Sequence, residues 1–87
     1  MRERLEQSLL KEGARLAGQI AALQRIFLMA NEVGDRAMVA VSGGDVSLRQ
    51  ELSARPNPQE RALWLLGHDA ERFERAEEIR HSDHHYV

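Results

Sequence analysis

The 87-residue sequence has no cysteine, one lysine, two prolines, and only one tryptophan, one tyrosine and two phenylalanines. Without cysteine, the chain can form neither a disulfide framework nor a metal site with thiolate ligands. So few aromatic side chains cannot build the stacking surfaces that bind single-stranded nucleic acid. The net charge of −2 provides no overall attraction to nucleic acid or to an anionic membrane. We therefore expect no nucleic-acid partner and no membrane partner.

Long apolar runs are also missing. The most apolar stretch, residues 14–30, contains Arg15 and Arg25, which a bilayer core would reject. Lys11 and Glu12 interrupt the N-terminal region before it reaches the length of a secretion signal. We therefore expect a cytoplasmic protein. Eleven arginines against one lysine, together with eleven alanines, are typical of a GC-rich bacterial or phage gene.

The first third of the chain predicts one long amphipathic helix, about residues 2–33. It lacks proline and is rich in leucine, alanine, glutamate, glutamine and arginine, which are good helix formers. Gly34 is placed to follow its C-terminal end. Leu9, Leu16 and Leu23 recur every seven residues, with Ile20 and Phe27 on the same side.

The length of this helix predicts self-association. A helix of 32 residues spans about 48 Å, whereas a compact chain of this size is roughly 30 Å across. The helix would overhang its own domain and leave leucines exposed unless it broke at Gly13 or Gly18 or a second chain covered them, and we favour the second chain. We expect a homodimer whose interface includes Leu9, Leu16, Ile20, Leu23 and Phe27. Trp64 joins this set because tryptophan is enriched at interface hot spots; the alternative is that it lies across the bundle as part of the core.

The remainder predicts two further helices. Residues 34–44 are interpreted as an irregular or short extended segment, since 36–41 is a brief apolar run before a glycine pair. Asp45 can cap a short helix over 45–54, and Asn57 followed by Pro58 starts a helix over 58–81. A polar tail, 82–87, follows. The sequence thus predicts a mainly α, single-domain helical bundle that a second chain completes.

Chemistry could lie only near the C-terminus. No serine or lysine nucleophile stands beside a credible base, so we expect no enzyme activity. Glu78 and His81 have the spacing that places a carboxylate and an imidazole on one side of a helix. With His84 and His85 they could bind a divalent metal ion through nitrogen, the one cofactor that the sequence suggests.

These observations favour a non-enzymatic protein that self-associates through residues 5–30 and acts by protein–protein interaction, as an adaptor, regulator or inhibitor. The alternative is a helical protein that binds metal through its C-terminal histidines. A third hypothesis is that the chain is a fragment of a larger protein, since it stops at Tyr86-Val87 without a polar ending.

Overall fold

The computed structural model describes the backbone of residues 2–85 and the side chains of residues 2–82. It contains five helices: α1 (Arg2–Met29), α2 (Glu32–Ser42), α3 (Val46–Ser53), α4 (Pro58–His68) and α5 (Ala70–His85). No strand occurs in residues 2–85, and the prediction of a mainly α, small helical bundle is confirmed. Among these five helices, none is both long and apolar enough to cross a membrane.

The core is confined to the part of the chain that follows the first two-thirds of α1. Among the side chains of residues 2–82, every buried apolar one lies between Ile26 and Ala76, with Phe73, Met29, Met38 and Leu65 as the largest fully buried side chains. We call residues 22–82 the body and residues 2–21 the arm. The arm has no buried residue. The molecule accordingly extends 55 × 31 × 20 Å, and its radius of gyration is 16.4 Å, against about 12 Å for a compact chain of this length.

The first helix ends at Met29, four residues before the predicted end at Val33. Asn31 causes the break because its side chain caps both neighbouring helices. Its Oδ1 accepts a hydrogen bond from the Gly34 N–H at 2.8 Å, and its Nδ2 donates to the Leu28 carbonyl at 2.8 Å. Gly34 therefore does not follow a helix end, as its type suggested, but lies buried in the first turn of α2.

The prediction of an irregular or extended segment over 34–44 is wrong for most of its length, because residues 32–42 form α2. The residues of α2 that lie in the core recur with helical spacing: Gly34, Ala37, Met38 and Ser42 are buried. The Ser42 hydroxyl donates to the Val39 carbonyl at 2.6 Å, which satisfies this buried polar group. The helix ends at Gly43, whose φ of +53° favours glycine.

Two predicted helix starts are confirmed. The Asp45 carboxylate accepts a hydrogen bond from the Leu48 N–H at 3.0 Å and caps α3. The Asn57 side chain accepts from the Gln59 N–H at 2.8 Å, and Pro58 occupies the first turn of α4. Both starts could be predicted from the sequence because capping depends on residues within the same short segment.

The prediction of one helix over 58–81 is wrong, because Asp69 divides it into α4 and α5. The Asp69 N–H donates to the Leu65 carbonyl at 2.8 Å, and its carboxylate accepts from the Arg72 N–H at 3.1 Å. The chain thus turns at Asp69, and α5 packs across α2 with Phe73 and Ala76 fully buried. The helix continues to His85, beyond the predicted end at His81, so residues 82–85 are helical.

Candidate protein-interaction surface

Six large apolar side chains on one side of α1 are exposed: Leu5, Leu9, Leu16, Ile20, Leu23 and Phe27. We call them the apolar stripe. Five are the α1 residues that the sequence predicted for an interface, and Leu5 extends the set towards the N-terminus. Leu9 is 71% exposed and Leu16, in the middle, is 50% exposed. Such a contiguous apolar surface marks an interaction site more often than scattered single residues do.

The apolar stripe lies away from the side of α1 that packs in the body. At 100° per residue, its six members fall within a sector of about 60°. The body-facing residues of α1, Ile26 and Met29, are buried and lie about 90° and 150° from the centre of that sector. The apolar stripe is therefore separate from the surface by which α1 enters the core.

The spacing of the residues keeps the apolar stripe nearly parallel to the axis of α1. Leu5, Leu16 and Phe27 are eleven residues apart, as are Leu9 and Ile20. An eleven-residue repeat corresponds to about 3.67 residues per turn, close to the 3.6 of an undistorted helix. The apolar stripe consequently remains on one side over about 33 Å. Glu12, eleven residues before Leu23, is the position where this apolar repeat is interrupted by a charge.

A groove between α1 and α4 continues the apolar stripe onto the body. Leu23 and Phe27 line it from α1, and Leu63 lines it from α4. Its volume is about 280 Å³, and Asn57, Gln59 and Glu60 form the polar edge. Leu63 is 60% exposed, and the sequence analysis did not identify it as an interface residue. The sequence did contain a signal for this exposure. The apolar residues of α4 are spread over too wide a sector of the helix for all to enter one core: Ala62, Leu63, Leu65 and Leu66.

Trp64 lies on a different side of α4 from Leu63. It packs against the core and is half-buried, and it lines a groove with residues of α3, including Leu48. The Arg55 guanidinium lies over its ring, 4.6 Å from the centroid, and the His68 imidazole stacks on it with centroids 4.6 Å apart. These contacts already cover much of the indole within the chain. The interface role of Trp64 stays a prediction, and Leu63 is better placed for it.

Polar contacts fix the direction in which the arm leaves the body. The Arg25 guanidinium donates to both carboxylate oxygens of Glu77 on α5, at 2.9 and 2.5 Å, and lies 5.2 Å from the centre of the Phe73 ring. Hydrogen bonding to Glu77 raises the pKa of Arg25 above its ordinary value. Because Arg25 is followed directly by buried Ile26, α1 is held at its C-terminal end by both charge and packing.

The predicted metal site lies only partly within the described side chains. Glu78 and His81 are exposed on α5 and line one shallow groove. Among side chains 2–82, no group of three or more His, Asp or Glu residues could hold a metal ion. His84 and His85 lie outside the described side chains, so the four-residue metal site remains a prediction.

Comparisons with known proteins identify no relative. The chain matches no protein-family model, and neither the curated proteins nor the solved structures provide a significant match.

Proposed function

We propose that this protein is a non-enzymatic interaction module that self-associates through the apolar stripe of α1 and acts by binding other proteins. The observation that supports this proposal is the apolar stripe itself: six large apolar side chains, all at least half exposed, lie on a different side of α1 from the buried Ile26 and Met29. A surface of this kind is costly to keep in water unless a partner covers it.

The energetic scale favours association. Fully burying a leucine, isoleucine or phenylalanine side chain contributes about 1.5–3 kcal/mol. Since the stripe residues are between 50% and 71% exposed, covering them would contribute roughly 5–10 kcal/mol for each copy. Two copies that cover each other would gain about twice this amount, against an association cost of about 4–15 kcal/mol. In the single chain these side chains stay exposed, because most of them lie on the arm, which extends beyond the body.

Sedimentation velocity across the micromolar concentration range tests the proposal. We expect the unchanged protein to sediment as a dimer and the double variant Leu9→Glu, Leu16→Glu to sediment as a monomer. Both leucines belong to the arm and have no buried contact in the single chain, so the core should remain folded in the variant.

The matched control is the double variant Gln7→Glu, Ala14→Glu. It also adds two negative charges seven residues apart on exposed positions of the arm, but these positions lie about 150° or more from the centre of the apolar stripe. We expect it to remain a dimer. A monomeric wild-type protein with a helical arm, or equal loss of the dimer in both double variants, would contradict self-association through the stripe.

A further inference from the structure

We infer that the second copy binds with its arm antiparallel to α1, so that the partner's Leu5 and Leu9 enter the groove between α1 and α4 beside Leu63. This inference rests on the proposed self-association and adds its geometry. It assigns one occupant, the arm of another copy, to the groove lined by Leu23, Phe27 and Leu63.

The register follows from the symmetry of the apolar stripe. Leu16 lies midway between Leu5 and Phe27. Antiparallel pairing about Leu16 places the partner's Leu5 opposite Phe27 and the partner's Leu9 opposite Leu23. Glu12 and Gly13 then lie opposite Ile20 and Gln19 of the partner. Neither residue lies opposite its own copy.

Charge distribution also favours the antiparallel arrangement. Residues 2–16 hold four basic and three acidic side chains, whereas residues 57–87 hold four basic and seven acidic ones. Antiparallel pairing brings the partner's Arg2 and Arg4 to the end of α1 where Glu32 and Glu60 are exposed. Parallel pairing would instead set each Glu12 beside its copy and align the two helix dipoles, both of which are unfavourable.

In the antiparallel dimer, the groove enlarges the surface that each arm covers. Pairing of two isolated helices would leave Leu63 uncovered, because it belongs to α4. In the antiparallel dimer, the N-terminal half of each arm lies against the C-terminal half of the other α1 and against α4 at once. The surface that receives the arm is therefore built by two helices, α1 and α4, which the shared core holds in a fixed relation.

Cysteine trapping tests the orientation, since the natural chain has no cysteine. A disulfide requires Cα atoms within about 7 Å. In the antiparallel dimer, the two copies of position 9 are roughly 21 Å apart along the axis. Leu9→Cys alone and Leu23→Cys alone should each fail to cross-link under oxidation. An equal mixture of the two, with one variant carrying a mass tag, should yield the mixed disulfide.

Leu63→Glu tests the groove, with Val46→Glu as its control. Both residues are 60% or more exposed, so neither change should disturb the core, but Val46 lies on α3. We expect Leu63→Glu to weaken dimerisation at least about tenfold and Val46→Glu to leave it unchanged. Self-cross-linking of Leu9→Cys, or a dimer equally tight with Leu63→Glu, would overturn the antiparallel groove-bound arrangement while leaving self-association intact. A monomeric cysteine-free protein would instead refute the proposed function.

Discussion

Gly34→Ala should destabilise the protein, although alanine is the better helix former. Gly34 lies in the first turn of α2, where its N–H is bound by the Asn31 side chain. A Cβ built on Gly34 would overlap the backbone carbonyl of Met29, at the end of α1. Because the obstacle is backbone, no side-chain rotation can relieve the overlap. The two helices must move apart, which disturbs the buried contacts of Met29.

The magnitude follows from two opposing effects. In an open helical position, replacing glycine by alanine contributes about 0.5–1 kcal/mol of stability. Overpacking a tight site costs about 1–3 kcal/mol and occasionally more. We expect steric overlap to dominate at Gly34, with a net loss of about 2 kcal/mol. For a domain of this size, that loss corresponds to a fall of about 8–16 °C in the melting temperature.

Gly67→Ala is the matched control. Gly67 is also helical, but a Cβ there meets nothing within 4 Å, so we expect a small gain in stability. Both variants and the wild-type protein should be unfolded in urea at one protein concentration, because the stability of a dimer depends on concentration. A Gly34→Ala protein as stable as Gly67→Ala would refute the tight junction between α1 and α2, and would support one helix continuing through residue 33.

Two further predictions concern charged groups. A double-mutant cycle on Arg25 and Glu77 should give a coupling energy of about 0.5–1 kcal/mol because the contact is bidentate and partly shielded. The more exposed pair of Arg15 and Glu12 should give less, and equal values in urea unfolding would contradict this ranking. Hydrogen bonding from the Leu48 amide lowers the pKa of Asp45, so its stabilisation is complete above about pH 4 and lost as pH falls through the lower pKa of the folded state. Asp45→Asn retains a capping oxygen. The urea midpoint of this variant should therefore fall less steeply than that of the wild-type protein between about pH 5 and pH 2. Parallel curves of urea midpoint against pH would refute this assignment.

The two wrong helix predictions have one common cause. The sequence predicts continuous helices through Asn31 and Asp69, yet each side chain caps the helix that follows it. Their signals were present, because both are good capping residues and acidic side chains follow in the first turns of α2 and α5. Local sequence could not decide between continuing and turning, since the gain from turning comes from distant contacts such as the burial of Phe73.

The residues of the candidate interface also differ in whether local sequence could predict them. The α1 side of the candidate interface could be predicted, because periodicity alone places Leu9, Leu16 and Leu23 on one side of a helix. Leu63 could not be distinguished from its buried neighbour Leu65 without knowing how α4 is rotated against the body. The ion pair of Arg61 with Asp35, 26 residues apart, was likewise beyond local reasoning.

Local sequence was enough to establish that the chain is helical, where α3 and α4 begin, and that α1 has an apolar surface too long for its own body to cover. These properties depend on neighbours within a few turns, where helix propensity, capping and periodicity operate. The packing of the helices was needed to show that the chain turns at Asn31 and Asp69, which surface of α1 enters the core, and that Leu63 lies beside the exposed surface. Those outcomes depend on packing between segments far apart in sequence, and no local pattern contains that information.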